Sequence, residues 1–183
     1  MTIICRVLVS CAVILLPASV QATVLVPASL GELAREAGAI VRGRVIAAEV
    51  RFTPDRRAIE TLVTLDAEAT LKGSLGATVQ FLVPGGTLGR YRSILVGAPA
   101  FAAGQHVVVF LGWTGPSYPY VLGLSQGVFR LQADGDQGWR VTPLLFTAPV
   151  SGAAPVVHGD PARRPVPLAD FEQRVRALVA GAQ

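Results

Sequence analysis

Cysteine is almost missing from this chain: Cys5 and Cys11 are the two it has, both at the extreme amino end. Lysine and histidine are nearly as scarce. Lys72 is the lone lysine beside fifteen arginines, and His106 and His158 are the two imidazoles. A zinc site takes three or four N, S or O ligands, usually at close spacing, and no such cluster surrounds either histidine. Neither a metal nor another cofactor is therefore expected. Long apolar runs are also lacking. After residue 22 no stretch approaches the roughly 20 apolar residues that a membrane helix needs.

What is present at the start has a clear pattern. Arg6 precedes an apolar run from Val7 to Leu16, Pro17 ends it, and Val20-Gln21-Ala22 supplies a small-x-small cleavage pattern. The run has the length of a secretory leader, not of a membrane span. Residues 1–22 are expected to be a signal peptide, with the mature chain starting near Thr23 and working in the periplasm or beyond. A rival reading takes Leu8-Val9-Ser10-Cys11 as a lipoprotein motif acylated on Cys11. Arg6 leaves that motif almost no hydrophobic run before it, and the cut would leave Ala12–Leu16 on the mature protein. Removing residues 1–22 removes both cysteines, which excludes a disulfide scaffold, a thiol enzyme and a cysteine-ligated metal. The remaining chain of roughly 160 residues is enough for one domain with its own core.

The hydrophobic pattern then predicts a mainly β fold with two helices. Ser29 with Glu32 has capping-box spacing, and Leu30, Leu33 and Ala37 share a face, so a short helix is expected over Ser29–Ala37. From Ala39 the period becomes two: Val41, Gly43, Val45 and Ala47 alternate with Arg42 and Arg44. A second strand alternates from Ile59 to Leu71. This is longer than usual, so a strong bend or a bulge is expected, as in a small closed barrel. Further strands are read at Thr78–Val83, His106–Leu111, Tyr120–Leu124, Gly127–Leu131 and Trp139–Val141, with a minor one at Tyr91–Val96. The prolines at 143, 149, 155, 161, 165 and 167 mark an extended segment. Leu168, Phe171, Val175, Leu178 and Val179 form the stripe of an amphipathic helix. The expected organisation is a barrel domain over 23–142, a proline-rich linker over 143–167 and a C-terminal helix over 168–183.

Several short segments carry a resemblance. Ala39-Ile40-Val41-Arg42-Gly43-Arg44-Val45 opens a first strand, Leu71-Lys72-Gly73 closes the second, and Val79-Gln80-Phe81 follows. Gly104-Gln105-His106 then opens the apolar strand to Leu111. This layout resembles the netrin module shared with tissue inhibitors of metalloproteinases. It also resembles exported bacterial proteins with a Gly-x-x-Gln-Gly-x-Phe segment, here Gly123 to Phe129. The resemblance implies an OB-like, five- to six-stranded antiparallel barrel over about residues 38–131. Those inhibitors reach the protease zinc with a disulfide-bonded cysteine at the mature amino terminus. Thr23-Val24-Leu25 stands there in this chain, so that mode does not carry over.

The candidate chemistry is sparse. Gly123-Leu124-Ser125-Gln126-Gly127 matches the Gly-x-Ser-x-Gly nucleophile elbow, and Asp134 or Asp136 with His158 would complete a hydrolase order. The mechanism needs a strand, a sharp turn and a helix on a parallel sheet, whereas a strand pattern follows Ser125. Asp134-Gly135-Asp136 begins like a calcium loop, but its twelfth position is Leu145 where an EF-hand has Glu, so a hairpin turn is expected. Pro84-Gly85-Gly86 precedes no helix and so makes no phosphate cradle. Arg90, Tyr91 and Arg92 cluster exposed basic and aromatic groups in the long Gly85–Gly104 loop, the kind of position where OB folds carry recognition. The other arginines are scattered, so nucleic acid is not an expected partner. Two readings remain at this stage. The leading one is an exported, non-enzymatic binding module for an envelope or extracellular protein, protease included. The alternative is a serine hydrolase built on Ser125.

Overall fold

The computed structural model describes residues 28–115, 118–135, 138–144 and 164–181. Residues 1–27, with the expected signal peptide, and most of the proline-rich segment lie outside the described residues. Helix α1 spans Leu30–Glu36, and its capping box is complete in both directions between Ser29 and Glu32. The Glu32 carboxylate accepts from the Ser29 backbone N–H, and that bond holds its pKa below the ordinary value. At the other end of α1 the single lysine, Lys72, donates to the carbonyls of Ala34 and Arg35 at 2.8 and 2.9 Å. Those are carbonyls the last turn leaves without intrahelical partners.

Among the described residues ten strands follow in order: β1 (Ala39–Phe52), β2 (Ile59–Lys72), β3 (Thr78–Pro84), β4 (Gly86–Leu88), β5 (Tyr91–Ser93), β6 (His106–Gly112), β7 (Tyr120–Val121), β8 (Val128–Ala133), β9 (Trp139–Pro143) and β10 (Val166–Pro167). Strands β1, β2, β3, β7 and β6 form a ring that closes when β6 pairs back to β1. The chain is thus mainly β with a closed five-stranded barrel and two helices, as its alternation predicts. The second long strand, β2, carries the irregularity expected of it, and β1 adds one of its own. The β1–β2 register shifts between Ile40 and Val41, Arg42 and Gly43, and Val45 and Ala47. At Gly43 a Cβ would collide with the Asp66 backbone, so glycine lets the two strands cross closely there.

The expectation of an all-antiparallel barrel needs one correction. Leu82 of β3 faces Tyr120 of β7 in a parallel pair. The reason is topological. Directions alternate around an antiparallel ring, and an odd number of strands cannot alternate all the way round. The seam falls at the shortest barrel strand, where one residue pair suffices.

Two apolar cores result, one on each side of the barrel wall. Inside lie Val41, Val45, Val63, Leu65, Phe81, Val107, Val109 and Leu111 among others. Outside, Ile40, Val108, Phe110, Phe129, Leu131 and Val141 meet Leu33 of α1 and Phe171 and Val175 of α2 (Leu168–Ala180). Strand β6 is therefore buried on both faces, which explains its unbroken apolar run. The proline-rich region contributes more than an extended link, because Val166 and Pro167 add an edge strand to β9. Helix α2 is fastened at its rim by charge. Arg42 lies 3.2 Å from Glu68 and 2.9 Å from Glu172, and Glu172 reaches Arg176 at 3.2 Å.

Because Phe171 is buried against Phe129, with ring centroids 4.8 Å apart, Phe171→Ala should cost about 3–5 kcal/mol. Urea unfolding measures this. A loss below about 1 kcal/mol would show that α2 does not belong to the core.

Candidate functional site

The long excursion after β3 is built, not loose. Gly85 turns at φ 90°, which suits glycine. Strands β4 and β5 then form a small hairpin that pairs Gly86 with Ser93, Thr87 with Arg92 and Leu88 with Tyr91. Tyr91 meets Phe52 of β1 edge-on at 5.9 Å, which ties this hairpin to the tip of β1–β2. That tip is itself ordered. Asp55 accepts from the Thr53 hydroxyl and the Arg57 N–H, and the Thr53 bond is the main cause of its lowered pKa.

Beyond β5 the chain is pinned at several points. Ser125 donates both its hydroxyl and its backbone N–H to the Gly97 carbonyl. Arg130 donates to the Ala100 carbonyl at 3.2 Å, and the Gln105 side chain accepts from the Ala102 N–H at 3.0 Å. Phe101 drops onto Phe81 at the barrel's end, their centroids 5.3 Å apart. Held this way, the loop leaves a cavity of about 330 Å³ over the inner-face residues at that end. Ala48, Val50 and Val83 supply apolar lining from the strands, Leu95 and Phe101 from the loop, and Arg92 the one charged group. Beside it Ile94, Leu95 and Val96 are 69%, 43% and 73% exposed. Three successive apolar residues held at the surface form a patch of the kind that marks an interaction site.

The residues expected at the binding site meet here. Arg90 and Tyr91 form one unit, with the guanidinium 5.0 Å above the ring and donating to the phenol oxygen at 2.9 Å. Arg92 has no ion-pair or hydrogen-bond partner among the described residues and lines the cavity. Of the hydrolase residues, the two that are described are each engaged elsewhere. Ser125 is 5% exposed and sits in a 3-10 turn, Leu124–Gly127, between β7 and β8. Asp134 is held by Arg140 at the β8–β9 turn, at 2.6 and 2.9 Å. His158 and Asp136 lie outside the described residues. The other imidazole, His106, has Nδ1 3.0 Å from Glu68 and its ring against Trp139. Among the described residues no group of three or more His, Cys, Asp or Glu is placed to hold a metal ion.

The Gly-x-Ser-x-Gly segment instead has a complete structural explanation. Gly123 adopts φ 63°, a left-handed turn that glycine takes without steric cost. At Gly127 a Cβ would strike the Leu122 carbonyl. Ser125 fastens the loop, and the buried Gln126 accepts from the Ala28 N–H at 2.7 Å, fixing the approach to α1. Sequence reasoning missed the exposed Ile94–Val96 triplet, although an apolar run without alternation inside a Gly-rich loop was its available sign. No protein-family model, curated protein or solved structure matches the chain.

Ser125→Ala should lower stability by about 1 kcal/mol, the worth of a hydrogen bond, and loosen residues 94–98. Wild-type protein should stay unlabelled by a serine-directed fluorophosphonate. Labelling that disappears in Ser125→Ala would contradict the structural role.

Proposed function

We propose that this chain is an exported, non-enzymatic binding module that holds a protein partner at the groove beneath the Gly85–Gly104 loop. The observation that carries the reading is the pairing of a preformed apolar cavity with an arginine that has no partner among the described residues and a fixed, exposed Ile94–Val96 strip. Ligand sites are typically largely preformed, mostly apolar and oriented by a few polar groups. The five-stranded barrel is the architecture that the netrin-module resemblance implies, and it supports a recognition role carried on barrel loops. Export rests on the leader pattern of residues 1–22. The partner class that follows is an envelope or extracellular protein, proteases among them.

Two linked measurements test this in a bacterial host that exports the full chain. Intact mass should show a mature protein starting near Thr23. A lipid-modified mass beginning at Cys11 would overturn the soluble form. A photo-crosslinking residue at Val96 should then give a discrete protein adduct, absent when the same probe stands at Arg174 on α2. Equal labelling from both positions would remove the groove as the binding site.

A further inference from the structure

The groove has an apolar floor and a cationic rim whose arginines outnumber the acids able to neutralise them. Arg51 is paired with Glu60 at 2.9 Å, and Arg57 lies 3.9 Å from Asp55. Arg56 and Arg90 instead stack on the rings of Phe52 and Tyr91, at 5.7 and 5.0 Å. Arg92 lines the cavity with no ion-pair or hydrogen-bond partner among the described residues. At this end of the barrel Glu49, exposed on β1, is the sole carboxylate among the described residues that no arginine holds. Three guanidiniums thus face solvent around the groove without a carboxylate. Arg90 spends one N–H on the Tyr91 oxygen, and a guanidinium has five such donors in a fork that matches a carboxylate.

The backbone offers a second, independent feature. Strand β1 pairs with β2 from Ile40 to Phe52, but with β6 only from Ala39 to Arg44. Val45 then exchanges backbone hydrogen bonds with Gly104 and Gln105. From Ile46 to Phe52 this edge is paired with no strand among the described residues, and Ala48 and Val50 on it line the groove. An open edge is a template for an added strand.

Building on the binding role proposed above, we infer that the groove takes an extended acidic peptide as an extra strand. The peptide pairs its backbone with the Ile46–Phe52 edge. The side chains on its inward face drop aliphatic groups into the cavity and carry carboxylates to Arg92 in the lining and to Arg56 and Arg90. A peptide satisfies the open edge, the apolar cavity and the cationic rim together. An anionic lipid surface would use the charge and leave the edge unpaired. A single-stranded nucleic acid would need free aromatic faces for stacking, and here Phe52 and Tyr91 already engage each other and their arginines.

Fluorescence anisotropy with a labelled eight-residue peptide of two Asp-Asp-Val-Val repeats, which sets both kinds of side chain on each face of the strand, tests this on the purified protein. The same peptide with Ser or with Lys in place of Asp serves as control, together with the acidic peptide N-methylated at alternate residues. The acidic peptide should bind at least about tenfold more tightly than each control, a factor worth about 1.4 kcal/mol, and should weaken as salt rises. Arg90→Glu and Arg92→Glu should each weaken it by about tenfold or more, with melting temperature unchanged, while Arg174→Glu should have no effect. Equal binding of the acidic and basic peptides overturns the inference, as does undiminished binding of the N-methylated one. Preference for phosphatidylglycerol vesicles over every peptide also overturns it. If no peptide binds but Val96 still crosslinks a protein, this inference falls and the binding role stands. If both fail, the binding role falls too.

Discussion

The tight turn from Gly123 to Gly127 is the constraint on which the rest of the molecule depends. It lets two strands use the same edge of β6 in succession. Val121 pairs with Leu111 before the turn, and Val128 pairs with Val109 after it. The first of these closes the barrel through β7, and the second starts the outer layer through β8, β9 and β10. The reversal is tight enough to bring the Gly127 α-carbon against the Leu122 carbonyl. Leu124 also adopts a left-handed conformation, φ 55°, at a cost of about 1–2 kcal/mol for an L-residue. Ser125 and Gln126, both buried in the turn, spend their polar groups on Gly97 and Ala28. A pattern that suggests a nucleophile is thereby a junction joining barrel, outer layer and loop.

The consequences for the site follow from that junction. Because β6 serves both cores, the inner packing of Val107, Val109 and Leu111 and the outer packing of Val108 and Phe110 belong to one wall. A rigid wall gives the loop a fixed surface to be tied to. The ties at Gly97, Ala100 and Gln105 hold Ile94–Val96 outward against the cost of exposing them. Preorganisation of this kind removes part of the ordering cost of binding.

Much of the fold was legible because it rests on local periodicity. The alternation from Ile59 to Leu71, the Ser29–Glu32 capping pair and the stripe from Leu168 to Val179 each specify an element without distant help. The parallel seam was not legible, since it depends on the parity of the ring and shows in a single residue pair. Strand β10 was hidden because Val166 stands between two prolines and pairs only through β9. At the site, Arg90, Tyr91 and Arg92 were visible as a cluster of charge and aromatic character. The groove was not, because its lining comes from β1, β2, β3, the hairpin and the loop together. The partner of Ser125 is 28 residues away in sequence, and no local pattern announces it.

The measurement that bears most directly on this account is the stability of Gly127→Ala. If the turn is the junction described here, the added methyl has backbone in its way on a path that cannot relax locally. The variant should lose about 2 kcal/mol or more, in the range of overpacked sites, with barrel and helices still unfolding in a single transition. A variant within about 0.5 kcal/mol of wild type, the range of a neutral surface change, would contradict it. So would helices that melt apart from the barrel.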